Sequence, residues 1–231
     1  MRVEVQHRPA YALAIAHLDP GETILAEGGA MVSMSTNVSM ETSAGKKGQG
    51  LLGGLMGGLK RMVAGESFFQ NRFTAQGAGG HVTLAPAVQG DIETVDLAQD
   101  MDLYLQSQAF LASDDAIQTT AKWGGARTFF AGEGLVMLRA TGAGPIAFNS
   151  FGGIKRIDID GEYIVDTGHI VAFESSLDFT VSRFGGGWKA FLFGGEGLVC
   201  RFRGRGTLWI QTRNLHGFGR LIGQKLPARR G

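Results

Sequence analysis

The residues able to perform acid–base, nucleophilic or metal chemistry are few and scattered along the 231-residue chain. None of the five histidines has another histidine two or four positions away, and none lies close in sequence to Cys200, the single cysteine. Cys200 alternates with Leu198 and Phe202 on the apolar side of an expected strand, which is typical of a buried structural thiol. These spacings predict no metal site, no cofactor and no catalytic centre.

Carboxylates form two clusters, which could support general acid–base catalysis if burial separated the pKa values of a pair. The first cluster begins at Asp91 and extends to residue 102, and the second spans residues 158–166. In both, acidic residues alternate with isoleucine or valine, the pattern of strands with one solvated face. We therefore expect solvated carboxylates and a protein that is not an enzyme.

A glycine- and leucine-rich segment is the most unusual part of the sequence. Glycine recurs at every fourth position from 50 to 58, and cationic residues flank the run on both sides. A helix here would present a small-residue face to a partner, whereas a flexible loop accounts for the composition equally well. We expect residues 46–62 to bind a protein partner or a membrane surface. The candidate binding residues are Leu51, Leu52, Leu55, Met56, Leu59, Lys60 and Arg61.

The formal net charge of +1 hides two oppositely charged parts of the chain. Residues 91–178 carry a net charge of −9 and residues 183–231 carry +9. Basic side chains with aromatic neighbours suit RNA phosphates and stacked bases, so the basic part could bind RNA. The asymmetry equally suits docking of acidic against basic units, which we favour. The residues of the RNA alternative are Arg201, Arg203, Arg205, Trp209 and Arg213.

The elements that must position these residues are strands. Hydrophobic residues make up 44% of the chain, and its 37 glycines are spread between short apolar runs. Such punctuation is typical of strands and tight turns, and convincing helical periodicity is nearly absent. We predict an all-β protein. The first nine residues contain no apolar signal region and no later stretch is long enough to span a membrane, so we expect a cytoplasmic location.

Internal similarity divides the chain into three units. The pentapeptide GEGLV occurs at residues 132–136 and again at 195–199, and residues 105–112 resemble 165–172. We predict units at 1–90, with an insertion at 44–64, at 91–155 and at 156–226, followed by a tail at 227–231. Units of this size bury too little surface alone, so they should pack as one globular body. Their remaining strand edges should pair between subunits, which predicts a homo-oligomer.

The motif GESFF at residues 65–69, with HVTLAP at 81–86 and the two Gly-Glu-Gly segments, resembles the AIM24 family. The resemblance extends over nearly the whole chain. It implies an internal triplication of a β-sandwich unit similar to the subunit of the tryptophan RNA-binding attenuation protein. The expected architecture is three tandem antiparallel β-sandwich or β-roll units, with the glycine–leucine insertion in the first as a loop or short helix. The family has no established reaction, so we expect a scaffold or assembly protein, with RNA binding as the alternative.

Overall fold

The computed structural model describes residues 1–43, 70–121, 137–183 and 198–226. These residues are mostly strand, which confirms the prediction of an all-β protein. The strands are β1 (Arg2–Gln6), β2 (Leu13–Leu18), β3 (Thr23–Glu27), β4 (Met31–Met34), β5 (Val38–Ser43), β6 (Gln70–Ala75), β7 (Gly80–Leu84), β8 (Ile92–Leu97), β9 (Leu103–Gln106), β10 (Phe110–Asp114), β11 (Gln118–Ala121), β12 (Met137–Thr141), β13 (Gly144–Asn149), β14 (Ile154–Asp166), β15 (Ile170–Glu174), β16 (Leu177–Arg183) and β17 (Leu198–Gln211).

The strands form three sheets whose ladders are all antiparallel. The first sheet has the order β1-β2-β7-β4, and the second has the order β5-β6-β3-β10-β13-β8. The third sheet has the order β11-β12-β9-β15-β17-β14, with β16 also paired to β17. The second and third sheets therefore each combine three strands from one stretch of the chain with strands from the next stretch.

Three hydrophobic cores stabilise these sheets. The first core contains Val82 of the first sheet and Phe73 of the second. Another contains Phe148 of the second sheet and Leu105 of the third. The last one consists of third-sheet residues, with Phe202 fully buried at its centre. Buried side chains alternate with less buried ones along β2 and β3, as the strand period requires. In contrast, β10 and β15 bury consecutive residues, because their side chains contribute to two cores.

The ribbon formed by β14 and β17 is the longest ladder in the described chain. Its register runs from the pair Ile154 and Gln211 to the pair Asp166 and Val199. Gly161 and Gly204 face each other within it, and both have a positive φ, of 123° and 119°. Other residues resist that backbone conformation, so glycine is required where the ribbon passes from its first to its second half.

One α-helix, α1 (Leu215–Gly223), follows β17. Asn214 caps its first turn by accepting a hydrogen bond from the backbone N–H of Gly217 at 3.0 Å. The ring of Phe218 packs on Phe151, with ring centroids 5.3 Å apart. Two 3-10 turns, Ser107–Ala109 and Thr167–His169, connect β9 to β10 and β14 to β15. Sequence periodicity did not predict α1, because glycine occupies a third of its positions.

Candidate interaction surfaces

The basic part of the chain forms ion pairs with the acidic part along the β14–β17 ribbon. Arg201 Nη1 lies 2.8 Å from Glu162 Oε2, and Arg203 Nε lies 2.8 Å from Glu162 Oε1. Arg205 Nη2 lies 3.0 Å from Asp160 Oδ2. The hydrogen bond from Arg201 lowers the pKa of Glu162 below its ordinary value. The oppositely charged stretches therefore meet inside one chain, at a register that places arginine opposite carboxylate.

The other two residues of the RNA alternative lie away from this charged ribbon face. Trp209 is buried, and its ring meets Phe148 edge-to-face with the centroids 5.5 Å apart. Arg213 is exposed and donates to the backbone carbonyl of Thr212 at 3.4 Å. Three arginines are thus paired with carboxylates and the tryptophan is enclosed, so the five residues do not form one open cationic and aromatic surface.

The burial of Asp91 shows that the expectation of solvated carboxylates is wrong at this position. We expected its cluster to be solvated, but the Asp91 side chain is buried. Arg8 Nε donates to Asp91 Oδ1 at 2.8 Å, and the same guanidinium donates to Glu93 at 3.0 Å. Hydrogen bonds with Asp91 raise the pKa of Arg8 further above its ordinary value. A buried carboxylate requires such a partner, and Arg8 lies too far away in sequence for alternation to reveal it.

Cys200 is fully buried, as its alternation with Phe202 predicts. Burial raises the pKa of the thiol to about 12, so the reactive thiolate is scarce near neutral pH. Among the described residues, no three or more His, Cys, Asp or Glu side chains come together in a group able to hold a metal ion.

A polar cleft lies where β9, β13 and β17 end and α1 begins. Its enclosed space is about 20 Å³, which is about the room that one water molecule needs. Gln211 donates to the Gly168 carbonyl at 3.0 Å, while the side-chain oxygen of Asn149 and Nε2 of His216 are buried without a hydrogen-bond partner. Ser150 donates its hydroxyl to the Gly152 carbonyl at 2.6 Å. None of the described residues that line the cleft is a carboxylate able to act with His216, and their polar groups offer hydrogen bonds to water or a small polar group.

Large exposed apolar side chains concentrate on three elements of the described chain. These are β4 in the first sheet, the second half of β14 in the third sheet, and α1 with the turn that follows it. Isolated exposed apolar residues are ordinary, but clusters of them mark interaction surfaces. The exposed residues are Met31, Val32 and Met34 on β4, Tyr163 and Ile164 on β14, and Phe218, Leu221, Ile222 and Leu226 on α1 and its following turn.

Several sequence motifs lie outside the residues that the structure describes. They include the whole candidate segment 46–62 with Leu51, Leu52, Leu55, Met56, Leu59, Lys60 and Arg61, the GESFF motif and most of both GEGLV repeats. Their predicted binding role stays a prediction. No helix in the described ranges is both long and apolar enough to cross a membrane.

Fold and surfaces together define a class: an antiparallel all-β protein whose main exposed features are strand edges, a charged ribbon and a short apolar helix. Comparison with known proteins identifies the family. The family described as "Mitochondrial biogenesis AIM24" matches residues 3–213. The chain belongs to this AIM24 family, which confirms the resemblance carried by the sequence motifs.

Two relatives from Streptococcus pyogenes support the assignment over almost the full length. An uncharacterised protein of serotype M6 is 33% identical across 98% of this chain and 92% of its own. The crystal structure of a second S. pyogenes protein superposes with a TM-score of 0.80 at 30% sequence identity. That match covers 97% of this chain and 99% of the relative.

Proposed function

We propose that the protein is a non-enzymatic assembly scaffold of the cytoplasm, a rigid β body that holds interaction segments at its surface. The observation that carries the proposal is the clustering of exposed apolar side chains on β4, β14 and α1. Apolar surface in such clusters is costly on an isolated molecule and favours contact with a partner.

The scaffold consists, in this proposal, of three tandem copies of one β unit. Strands β2 to β7 form the pairs β2–β7, β3–β6, β4–β7 and β5–β6. Strands β8 to β13 form the same four pairs in the same order. In the last copy the long strands β14 and β17 each take the place of two strands, with β15 and β16 pairing to β17. This recurrence supports the units 1–90, 91–155 and 156–226.

The glycine–leucine segment is the contact element of the scaffold in this proposal. The strands before and after it in the chain, β5 and β6, form the pair at an outer edge of the second sheet, which supports a contact role for the segment between them. Burial of each leucine or methionine side chain against a partner contributes roughly 1.5–3 kcal/mol before the cost of ordering. Glycine increases that ordering cost, so the contact is moderate and reversible.

Shortening the segment tests this function. The first variant lacks residues 46–62, and a matched variant keeps the length but replaces Leu51, Leu55 and Leu59 with serine. Both variants should retain the β circular-dichroism spectrum and the native tryptophan emission, to which buried Trp209 contributes. Both should also lose proteins that copurify with the full chain from its native cell.

Two results with these variants would contradict the proposal. Unfolding of both variants would make the segment part of the core, which contradicts the proposal. Folded variants that retain every native association would equally contradict it. A salt-dependent titration with single-stranded RNA completes the test, since tight binding lost by Arg201→Gln would favour the RNA alternative.

A further inference from the structure

Two strand edges stay unpaired at positions where the rest of the molecule has ladders. Within the described residues, β4 pairs only with β7, and the second half of β14, residues 161–166, pairs only with β17. We call these the β4 edge and the β14 edge. Their counterparts elsewhere join one part of the chain to the next: β3 pairs with β10, and β9 pairs with β15.

The β4 edge corresponds in detail to β10 and β15. In β10 the ladder with β13 skips Leu111, and in β15 the ladder with β17 skips Val171. The ladder between β4 and β7 skips Val32 in the same way. The three strands share a β-bulge at the same position. We therefore treat β4 as the equivalent of β10 and β15, the strands that form the internal junctions.

The β14 edge corresponds to β3 and β9. Leu25 of β3 lies opposite Arg72, and Tyr104 of β9 lies opposite Arg139. Ile164 of the β14 edge likewise lies opposite an arginine, Arg201. Moreover, β9 and β14 both lead into a 3-10 turn and then into the strand that bears the bulge.

Burial separates the two open edges from their paired counterparts. Met31 and Val32 of the β4 edge are 37% and 56% exposed, whereas Phe110 and Leu111 of β10 are fully buried. Ile170 and Val171 of β15 are also buried, with at most 1% exposed. On the other edge Tyr163 is 39% exposed, while its counterparts Ile24 and Leu103 are fully buried. The open edges thus carry core-type side chains that no strand among the described residues covers.

We infer that the β4 edge of one chain pairs with the β14 edge of a second copy of this chain, as an added antiparallel ladder. The occupant is a second copy because this chain contains both halves of a junction that it already forms twice internally. By correspondence with those two junctions, Met34 faces Ile164, Ser33 faces Val165 and Ser35 faces Tyr163. The inference rests on the proposed assembly function and names its partner and register.

The contact joins unlike surfaces, so copies associate head to tail into a ring or an open filament. In the junction of β9 with β15, the residues corresponding to Ile164 and Met34 are Tyr104 and Phe173, whose rings stack with centroids 5.2 Å apart. Met34 and Ile164 provide the analogous cross-strand pair between copies. Such pairs, with strand-to-strand hydrogen bonds, are the stabilising unit of a sheet.

Cysteine cross-linking tests the register in the full chain. The double variant Met34→Cys with Ile164→Cys should form disulfide-linked oligomers on mild oxidation. The off-register control, Met34→Cys with Glu162→Cys, should cross-link far less, because a diagonal pair lies beyond disulfide reach. Equal cross-linking of both variants, no cross-linking, or a disulfide within one chain would overturn the inference.

Light scattering tests the same contact without new disulfides. Ile164→Lys places a charge on the β14 edge, which is how natural edge strands prevent pairing, and should reduce the mass to that of a single chain. Tyr11→Lys changes a residue that is even more exposed, 71% against 44% for Ile164, and that lies outside both edge strands, so it should leave the mass unchanged. A single-chain mass for the unmodified protein, or an unchanged mass for Ile164→Lys, refutes the edge pairing. Neither result bears on copurification through residues 46–62, so the two proposals fail separately.

Discussion

Replacing Glu27 with glutamine should stabilise the protein at alkaline pH and leave its stability unchanged in acid. Glu27 ends β3, and burial raises the pKa of its carboxyl group from the ordinary 4.5 to about 7. No ion pair or side-chain hydrogen bond compensates the carboxylate within the described ranges. The folded state therefore holds a proton that the unfolded chain releases near pH 4.5, and ionisation between pH 4.5 and 7 destabilises the fold.

The magnitude follows from the two pKa values. Their difference corresponds to a loss of at most about 3 kcal/mol in the free energy of unfolding. The loss is complete above pH 7 and absent below pH 4.5. Because the side chain is half-buried, solvent screening reduces the expected effect to about 2 kcal/mol. Glutamine has nearly the same shape as glutamate and no charge. Glu27→Gln should therefore increase the free energy of unfolding by about 2 kcal/mol at pH 8 and leave it unchanged at pH 4.

Urea unfolding followed by tryptophan fluorescence, to which buried Trp209 contributes, measures this effect at fixed protein concentration and at pH values from 4 to 8.5. Glu4→Gln is the matched control, because hydrogen bonding from Gln6 lowers the pKa of Glu4 instead. That control should show no gain at pH 8. Equal stability of Glu27→Gln and the unmodified protein at pH 8, or a gain confined to acid, would refute the assignment of a buried uncompensated carboxyl.

Two further predictions concern the core. Gly90→Ala should destabilise by about 1–3 kcal/mol in urea unfolding, because the new Cβ would meet the Ser150 carbonyl oxygen at 1.8 Å. Gly219→Ala, on α1 with open space around it, should leave stability unchanged or raise it. An equal loss of stability in Gly90→Ala and Gly219→Ala would contradict the clash at Gly90. Cys200 should resist iodoacetamide at pH 8 until urea unfolds the chain, because it is buried and its pKa is about 12. Rapid native labelling in mass spectra would show the thiol to be accessible.

Alternation in the sequence predicted the faces of strands that expose one side, but not those of β10 and β15, where consecutive residues are buried. Cys200 and Phe202 are buried while Arg201 and Arg203 are exposed, as a two-residue period requires. The same reasoning failed for α1, where glycines dilute the apolar positions. A local signal was nevertheless present: Asn214, a favoured N-cap residue, precedes apolar residues spaced three and four apart.

The surfaces were less predictable, because they depend on pairs that are distant in sequence. The opposed net charges indicated that acidic and basic parts would meet, but only the register of β14 with β17 shows that Glu162 lies between Arg201 and Arg203. Asp91 looked solvated because its partner Arg8 is remote. The sequence predicted that strand edges would remain but not which ones, since a strand pattern does not specify which ladder is missing.

The chemistry of β14 itself explains why a partner strand would select one half of the ribbon. The first half carries Lys155, Arg156 and Asp158 as exposed charged residues along the free edge. Charged edges suppress pairing with other strands, because added ladders would desolvate or confront those charges. Beyond Gly161 the edge exposes Tyr163 and Ile164, and its exposed carboxylate, Glu162, is paired with Arg201 and Arg203 of the neighbouring strand. The Gly161–Gly204 pair therefore separates a half of β14 whose charged edge disfavours strand pairing from a half whose apolar edge favours it. In the proposed assembly, this restricts pairing between copies to the register of the internal junctions.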